Sequence, residues 1–181
     1  KSNRCQIFTK DVSVTNTAER IGKYGRSSEM SYQIAKKGKE IKRDIEHAFV
    51  GLEQAGAAET AGAGRLLTSA TNQMDSGGIT TTTGALTETK LLTGLQNVFD
   101  EGGNVNQIQV PPAKAVTIAG FAASGNGTTR DFGESKRMVN AVDFYVSPFG
   151  EAAVVTNRFV KSDTVLLLDT DYWSRAVLRP M

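Results

Sequence analysis

The sequence predicts an α+β fold, because its longest helical segments precede a final third that is rich in strands. A long amphipathic helix is predicted over residues 28–54, and two shorter helices are predicted at 87–101 and 112–122. Four strand-like runs follow residue 141. Helices and strands that are segregated along a chain, rather than alternating, are typical of α+β domains and not of doubly wound sheets.

The composition excludes several classes of protein. At 181 residues the chain is long enough for one large domain or two small lobes. Its 21 basic and 19 acidic residues leave a net charge of +2, too little to attract nucleic acid or an anionic membrane by charge alone. The sequence shows no signal peptide and no apolar run near the ~18 residues that span a bilayer. The single cysteine, Cys5, excludes an internal disulfide and favours a reducing compartment.

The first 25 residues are predicted to hold one strand and a connector. Ile7, Val12 and Val14 recur with polar residues between them, which predicts a half-exposed strand over residues 5–14. Residues 16–25 are polar and predict a connector with one helical turn.

The segment 28–54 is the longest regular element that the sequence predicts. Ser27 or Ser28 can cap its first turn, and Ala55-Gly56 provides a stop. A helix of this length measures roughly 40 Å at ~1.5 Å per residue, which favours a scaffold rather than a catalytic element. Its predicted core-facing stripe consists of Met30, Ile34, Ile41, Ile45, Ala48, Phe49 and Leu52.

The middle of the chain alternates between small or polar loops and short regular elements. Residues 55–64 are nearly all Ala, Gly, Thr or Glu, which suits a hinge or close packing, and residues 77–83 predict a polar loop. Thr87 begins the second helix, and Gly102-Gly103 ends it. The apolar side of that helix consists of Leu91, Leu92, Leu95, Val98 and Phe99.

A short buried strand and a third helix follow. Residues 108–110 predict the strand, and Pro112 begins the helix, which runs to about Ala122. Residues 124–134 are rich in glycine and charge, and they predict a loop.

The last third of the chain is predicted to be β. Val142, Phe144 and Val146 share one face of a strand, residues 147–150 have the proline and glycine of a type I turn, and residues 153–160 return as the hairpin partner.

Three further segments complete this part. The continuous apolar run 165–168 is typical of a strand buried on both faces. Residues 169–173 predict a turn, and residues 176–178 predict a final strand.

Residues 75–78, Asp-Ser-Gly-Gly, resemble the nucleophile loop of trypsin-like proteases. Met74 stands where those enzymes have glycine, and their barrel fold has few helices. The only histidine, His47, is predicted to face the charged side of the long helix, whereas a serine triad needs a base held by a third group. We interpret the likeness of Ser76 to a nucleophile as accidental and predict no enzyme and no catalytic residue.

The sequence also predicts no metal site and no cofactor. One histidine and one cysteine cannot form a transition-metal cluster. Asp163, Asp169 and Asp171 lack the glycine and terminal glutamate of a calcium loop. Residues 125–130 lack the Gly-Lys-Ser/Thr ending of a phosphate-binding P-loop, so a surface loop is the simpler interpretation.

The long helix carries a basic run that resembles a nucleic-acid-binding segment. The run consists of Lys36, Lys37, Lys39, Lys42 and Arg43. Five acids cancel its charge: Glu29, Glu40, Asp44, Glu46 and Glu53. Lys42 with Glu46 and Glu40 with Arg43 are spaced for weak helix pairs. A solvated or subunit-facing surface is favoured, and a nucleic-acid- or protein-binding module using this helix is the alternative.

Tyr172-Trp173 form an adjacent aromatic pair close to the run 165–168. Such a pair is either a stacking platform or part of the core, and core packing is the favoured interpretation.

Several blocks of residues, in this order, resemble the major capsid proteins of tailed bacteriophages with the Hong Kong 97 fold. Their order and spacing over most of the chain carry the resemblance, and no single block is diagnostic. The blocks are Tyr24-Gly25-Arg26, Tyr32 to Glu40, Lys42 to Glu46, Val142 to Gly150, Asn157-Arg158-Phe159, Leu167 to Trp173 and Leu178-Arg179-Pro180.

The resemblance implies a place for each part of the chain. Residues 1–15 would be the returning strand of an extended loop that reaches over a neighbouring subunit. Residues 16–64 would be part of the peripheral domain, with the spine helix at 28–54. Residues 65–181 would be mostly the mixed α/β axial domain. The chain begins at Lys1 and stops after a strand-like run, so we expect that an N-terminal arm and a C-terminal strand of the family are missing from this piece.

The resemblance also implies a function and partners. It implies a structural subunit that self-assembles into the pentamers and hexamers of an icosahedral shell around DNA, in the virion, after assembly in the bacterial cytoplasm. The implied partners are sister capsid subunits and a possible scaffolding or decoration protein. Packaged DNA would be contacted only non-specifically, and no membrane partner is implied.

Overall fold

The structure is a computed structural model that describes residues 2–22, 24–25, 27–121 and 144–178. The chain divides into two compact units, Lys1–Gln73 and Met74–Met181. Helices occur in both units, and the second contains a four-stranded sheet. The predicted α+β class is therefore confirmed. The predicted loop 124–134 and the predicted strand position Val142 lie outside the described residues.

The first unit begins with helices whose N-termini are capped as the sequence predicts. Helix α1, Asn16–Arg20, is the predicted helical turn of the connector. Helix α2, Glu29–Glu46, begins after Ser28, whose Oγ accepts a hydrogen bond from the Ser31 amide at 3.2 Å. Both Glu29 and Met30 donate their backbone N–H to one carboxylate oxygen of Glu19, which satisfies two further amides of the first turn.

The long helix ends earlier than predicted. After Glu46 it continues as a π-helical turn, His47–Gly51, and stops at Leu52. Glu53 adopts a left-handed φ of 47°, which breaks the helix before the predicted stop at Ala55-Gly56. Gln54 is then drawn away from the helix axis, because its carbonyl accepts a bond from the Ser69 amide at 3.0 Å.

The predicted core-facing stripe of this helix is only partly correct. Within the described part of α2 no residue is buried, whereas Ala48 on the π-helical turn is fully buried. Met30, Ile34 and Leu52 are exposed. In the N-terminal half of α2 the preceding chain lies against a more polar side of the helix, which includes Gln33 and Lys37.

Residues 5–14 are not a strand, which corrects the prediction. A strand needs a hydrogen-bonded neighbour, and within the described residues these ten contact the rest of the unit through side chains instead. The Gln6 Oε1 accepts bonds from the Leu67 amide at 3.2 Å and from the Gln54 side chain at 2.8 Å. Lys10 forms an ion pair with Asp44, with 2.7 Å between Nζ and Oδ2.

The small residues after the helix form a narrow hairpin-like turn. Ala57 pairs with Leu66 and Thr60 with Ala63, and Gly62 adopts a left-handed φ of 89° at the tip. A side chain at Gly56 would collide with Thr68 Oγ1, so only glycine fits at this position. A short helix, α3, Ala70–Gln73, ends the unit.

The second unit begins with a polar loop and two helices that agree with the sequence. A single 3₁₀ turn, Ser76–Gly78, precedes helix α4, Glu88–Asp100. Thr87 caps α4, and Gly102 adopts a left-handed φ of 84° just after its end. Helix α5, Pro112–Phe121, begins at the predicted proline.

The sheet of the second unit has the strand order β2-β3-β1-β4. Strand β1 pairs in parallel with β3 and antiparallel with β4, and β2 pairs antiparallel with β3. The central β1 places Ile108 opposite Val154 on one side and opposite Leu167 on the other. The strands are β1, Gln107–Val110; β2, Phe144–Ser147; β3, Gly150–Thr156; and β4, Leu166–Leu168.

One face of the sheet and helices α4 and α5 enclose the main core. Its buried members are Leu91, Leu95, Val105, Ile108, Val110, Ile118 and Ala152. Tyr145 and Val154 pack against this cluster and share its face of the sheet by register. The predicted apolar side of α4 is therefore confirmed at Leu91 and Leu95.

Two predictions near the C-terminus are wrong. Residues 176–178 form no strand, because within the described residues no strand runs beside them, and Val177 and Leu178 are exposed. Tyr172 and Trp173 are also exposed rather than packed in the core. Tyr172 ends a 3₁₀ turn, Thr170–Tyr172, and Trp173 follows it, which confirms the predicted turn.

Candidate assembly surfaces

The first candidate surface is the exposed side of helix α2, here called the α2 surface. Its exposed members are Met30, Ser31, Tyr32, Ile34, Ala35, Lys36, Lys39, Lys42 and Arg43. Apolar and basic side chains are therefore presented side by side on one helix. A surface that combines the two kinds of side chain suits contact with another protein better than free solvation.

Two ion pairs neutralise part of the charge around this helix. Lys37 Nζ lies 2.8 Å from Glu40 Oε2, and the hydrogen bond from this ammonium lowers the pKa of the Glu40 carboxyl. The pair between Lys10 and Asp44 raises the pKa of Lys10, mainly through its hydrogen bond. Sequence spacing suggested Arg43 as the partner of Glu40, but the structure gives it Lys37.

The first unit buries few side chains, and they are concentrated at one end. Its buried residues are Ala48, Val50, Leu67, Ser69 and Ala70. They belong to the π-helical turn, to the segment before α3 or to the first residue of α3, whereas α2 contributes none. Burial of apolar area is the main favourable term in folding. The exposed apolar side chains of the α2 surface therefore contribute little to the stability of the described part of this unit.

The second candidate surface is the open face of the sheet. Phe144 and Val146 point to the face opposite the core, and their side chains are 53% and 74% exposed. Val155 on β3 lies on the same face and is also exposed. The sequence prediction that Phe144 and Val146 share a face is confirmed, but that face is open rather than buried.

The two residues considered for a serine triad, Ser76 and His47, are both exposed. Ser76 is exposed on its 3₁₀ turn in the second unit, and His47 is exposed in the first unit. Across the part of the chain that the structure describes, no three His, Cys, Asp or Glu side chains are grouped so that they could hold a metal ion. Residues 125–130, the candidate phosphate loop, lie outside that part.

The acidic residues considered for calcium have structural partners instead. Asp169 accepts hydrogen bonds from the amides of Asn104 at 2.9 Å and Asp171 at 3.1 Å, so it caps the turn before Tyr172. Asp163 lies 4.0 Å from Lys161 Nζ.

No helix in the described residues has the length and apolar character to cross a bilayer.

Comparison with known proteins assigns the chain to a family. The model of the SU10 major capsid protein family matches residues 1–181. The chain belongs to this family of capsid proteins. It is also 28% identical over 229 aligned residues to the major capsid protein of Escherichia phage Phieco32, an alignment that covers 99% of this chain. The chain spans 65% of the length of that relative.

Membership of a major capsid protein family confirms the resemblance to phage major capsid proteins that the sequence showed. Sequence reasoning missed the ion pair of Lys10 with Asp44 and the bonds of Gln6, because neither has a local pattern. It had a signal for the open face, since Phe144 and Val146 alternate with Tyr145.

Proposed function

We propose that this chain is part of the capsid subunit of a tailed bacteriophage, with a fold of the Hong Kong 97 type. Copies of the whole subunit assemble into pentamers and hexamers and then into an icosahedral shell that encloses DNA. The virion is its final location, and assembly takes place in the bacterial cytoplasm. The work is structural and involves no catalysis, metal or cofactor.

The observation that carries this proposal is the match of the capsid family to the whole chain. Two structural features support it. The first unit buries little apolar surface, so the α2 surface gains stability mainly when another molecule covers it. The charge around α2 is partly neutralised by its own ion pairs, which favours a protein partner over DNA as the occupant.

Within this proposal each unit has a role. Helix α2 and its π-helical turn correspond to the spine helix of a peripheral domain. The second unit, with its sheet and helices α4 and α5, corresponds to most of an axial domain. Residues 1–15 correspond to the returning part of an extended loop. Sister subunits are the main partners, a scaffolding or decoration protein is a further one, and DNA is contacted only non-specifically.

Electron microscopy of the full-length subunit, expressed with any scaffolding partner, tests the proposal. We expect shells or separate capsomers. A subunit that stays monomeric under every condition would count against the proposed function.

A pair of variants makes this test specific to the α2 surface. Ile34→Asp places a charge on the apolar part of that surface, and Ile34→Val keeps the same position apolar. We expect Ile34→Asp to abolish shells while leaving the circular dichroism of the subunit unchanged, because a buried unpaired charge is costly only in the assembled contact. We expect Ile34→Val to assemble. Equal assembly by both variants would show that Ile34 does not meet a sister subunit.

A further inference from the structure

The loop between helices α1 and α2 presents an aromatic side chain to solvent. It spans residues 21–27, with Tyr24 at its turn. Among the exposed large hydrophobic side chains of the described residues, that of Tyr24 is the most exposed, and Ile21 at the start of the loop is exposed as well. Tyrosine is over-represented among the residues that dominate binding energy at protein interfaces. The loop therefore has the composition of a contact site.

Two hydrogen bonds fix the base of this loop. One carboxylate oxygen of Glu19, before the loop, accepts bonds from the amides of Glu29 at 3.0 Å and Met30 at 3.1 Å, after the loop. Gly25 follows Tyr24 and adopts a left-handed φ of 80°, which lets the chain turn tightly there. A loop held in this way loses less conformational freedom when it binds, so Tyr24 is already positioned before any contact forms.

A groove in the same unit has room for an aromatic side chain. It lies between residues 11–15, α1 and α2, and its volume is about 410 Å³. Its apolar lining consists of Val12, Val14 and Ala18, each partly buried. Clefts that hold small ligands measure roughly 300–1,000 Å³, so the groove can take a tyrosine ring together with part of its loop.

The polar groups of the groove also suit a tyrosine. The Gln33 side chain donates to Glu29 Oε1 at 2.8 Å, which leaves its own carbonyl oxygen to accept a bond from a phenol hydroxyl. Lys37 is neutralised by Glu40. Asp11 is exposed at the groove and, within the described residues, forms no ion pair. The groove therefore combines an apolar lining, a hydrogen-bond acceptor and a negative charge.

The loop carries the opposite charge. Residues 20–28 contain three bases, Arg20, Lys23 and Arg26, and no acid. Arg20 is exposed in the last turn of α1 and, within the described residues, forms no ion pair. Opposite charges steer two surfaces together and orient them. A second copy of this chain would use both the basic loop and the acidic groove, whereas a nucleic acid would use the loop alone.

We propose that loop 21–27 of one copy docks in the groove of a second copy, with Tyr24 in contact with the apolar lining. The inference deepens the proposed function, on which it rests, by naming one contact between sister subunits. Loop and groove are different surfaces of the same unit, so the contact is head-to-tail. Head-to-tail contacts repeat around a closed ring, which suits the rotational symmetry of pentamers and hexamers.

The contact is small, which sets its strength. One aromatic side chain and a short loop bury less than the roughly 1,000 Å² typical of a stable independent interface. The contact therefore dissociates readily at low concentration and becomes stable where other contacts hold the subunits together. A subunit that repeats many times in a closed assembly is such a case.

Photo-crosslinking tests which surface Tyr24 meets. The photoreactive residue p-benzoylphenylalanine takes the place of Tyr24 in the full-length subunit and keeps an aromatic ring there. Isotope-labelled and unlabelled copies are mixed, so that mass spectrometry separates crosslinks between copies from crosslinks within one copy. The same probe in place of Tyr172 is the matched control, because Tyr172 is also an exposed tyrosine and does not line the groove.

We expect the probe at position 24 to form crosslinks between copies that map to residues 11–18 or 29–37. We expect no such groove crosslink from the probe at position 172. Crosslinks that map elsewhere, or equal groove crosslinks from both probes, would overturn the proposal. So would crosslinks confined to one copy, because the loop would then fill its own groove.

Two variants at the same position test what the aromatic ring contributes. Tyr24 is exposed, so Tyr24→Ala and Tyr24→Phe should leave the circular dichroism unchanged. We expect Tyr24→Ala to weaken self-association in sedimentation by at least roughly tenfold, the loss expected for truncating a central aromatic residue. Tyr24→Phe keeps the ring and should retain most of the association. Equal association of Tyr24→Ala and the unchanged chain would overturn the proposal.

A nucleic-acid contact is a separate outcome of these tests. Single-stranded DNA that binds the chain and is lost with Tyr24→Ala, while no groove crosslink forms, would overturn the proposal in favour of a nucleic-acid partner.

The outcomes also separate this inference from the proposed function. Shells of the full-length subunit that form normally with Tyr24→Ala, together with no groove crosslink, would overturn the loop contact and leave the capsid function standing. Groove crosslinks between copies of a subunit that never forms capsomers or shells would support the contact and count against the capsid function.

Discussion

Truncation of Ile118 tests how α5 is attached to the sheet. This residue is the only buried member of α5, at 1% exposure, and it belongs to the main core cluster with Ile108 and Val110. Val116, two residues earlier on the same helix, is 69% exposed. Ala115 and Phe121 of α5 are only partly buried against the same cluster, so Ile118 is the main attachment of the helix. Ile118→Ala and Val116→Ala differ mainly in burial.

The magnitude follows from the atoms removed. Ile118→Ala deletes three carbon atoms, worth about 2.4 kcal/mol of transfer free energy at ~0.8 kcal/mol each. A site closed by two helices and a sheet collapses poorly, so a cavity term adds to this loss. We expect Ile118→Ala to lower the free energy of unfolding of the second unit by about 3–4 kcal/mol, and Ile118→Val by about 1 kcal/mol. Val116→Ala should change it by less than about 0.5 kcal/mol.

Urea denaturation followed by tryptophan fluorescence is the suitable assay. Trp173 is the only tryptophan of the chain and lies in the second unit, so its emission reports that unit alone. A stability change without a change in compactness moves the midpoint and leaves the slope unaltered. A loss below about 1 kcal/mol for Ile118→Ala, or a loss equal to that of Val116→Ala, would refute the reasoning, because α5 would then be held by other contacts.

Four further variants test the helix caps, two glycines and one ion pair. Ser28→Ala should lower the stability of α2 by about 1 kcal/mol, measured as faster amide hydrogen exchange in its first turn, through loss of the N-cap bond. Gly38→Ala should stabilise helix α2 by about 1 kcal/mol, seen as higher helicity by circular dichroism, because nothing lies within 4 Å of the added carbon. Gly102→Ala should lower the free energy of unfolding of the second unit by about 1 kcal/mol, because the φ of Gly102 is 84°. Glu40 has a lowered pKa in the folded chain, so its contribution is present above pH 4.5 and is lost as the pH falls through the folded value. Glu40→Gln should therefore flatten the fall in urea midpoint below pH 4.5, and an unchanged pH dependence would contradict the role of Lys37.

The elements that local chemistry defines were predictable from the sequence. Helix α4 has a threonine cap, an apolar side and a glycine pair after its end, and each signal acts within a few residues of the next. Strand β1 and the proline start of α5 are local in the same sense. These signals agree with the tertiary structure because the main core needs the same faces that the patterns provide.

The elements that depend on a distant partner were not predictable. Residues 5–14 and 176–178 have strand-like composition, but a strand exists only where a neighbouring strand supplies hydrogen bonds. The early end of the long helix depends on Gln54 and Ser69, which are brought together by the fold. The periodicity of α2 identified its apolar residues but not which half of them is covered, since that depends on packing elsewhere in the unit.

The candidate surfaces were likewise only partly predictable from the sequence. The capsid resemblance was recognisable from ordered blocks of sequence, and family membership confirms it. The open face at Phe144 and Val146 required the register of β2 against β3, which no local pattern specifies.

The central position of β1 also constrains the order in which the chain acquires structure during synthesis. Strand β1 ends at Val110, but both of its partners, Gly150–Thr156 and Leu166–Leu168, are translated later. Ile108 and Val110 are therefore without their sheet partners while the ribosome makes the intervening residues, and contacts between distant segments are slow to form. Until the hairpin of β2 and β3 emerges and docks, the nascent second unit therefore exposes an apolar segment that a chaperone can bind.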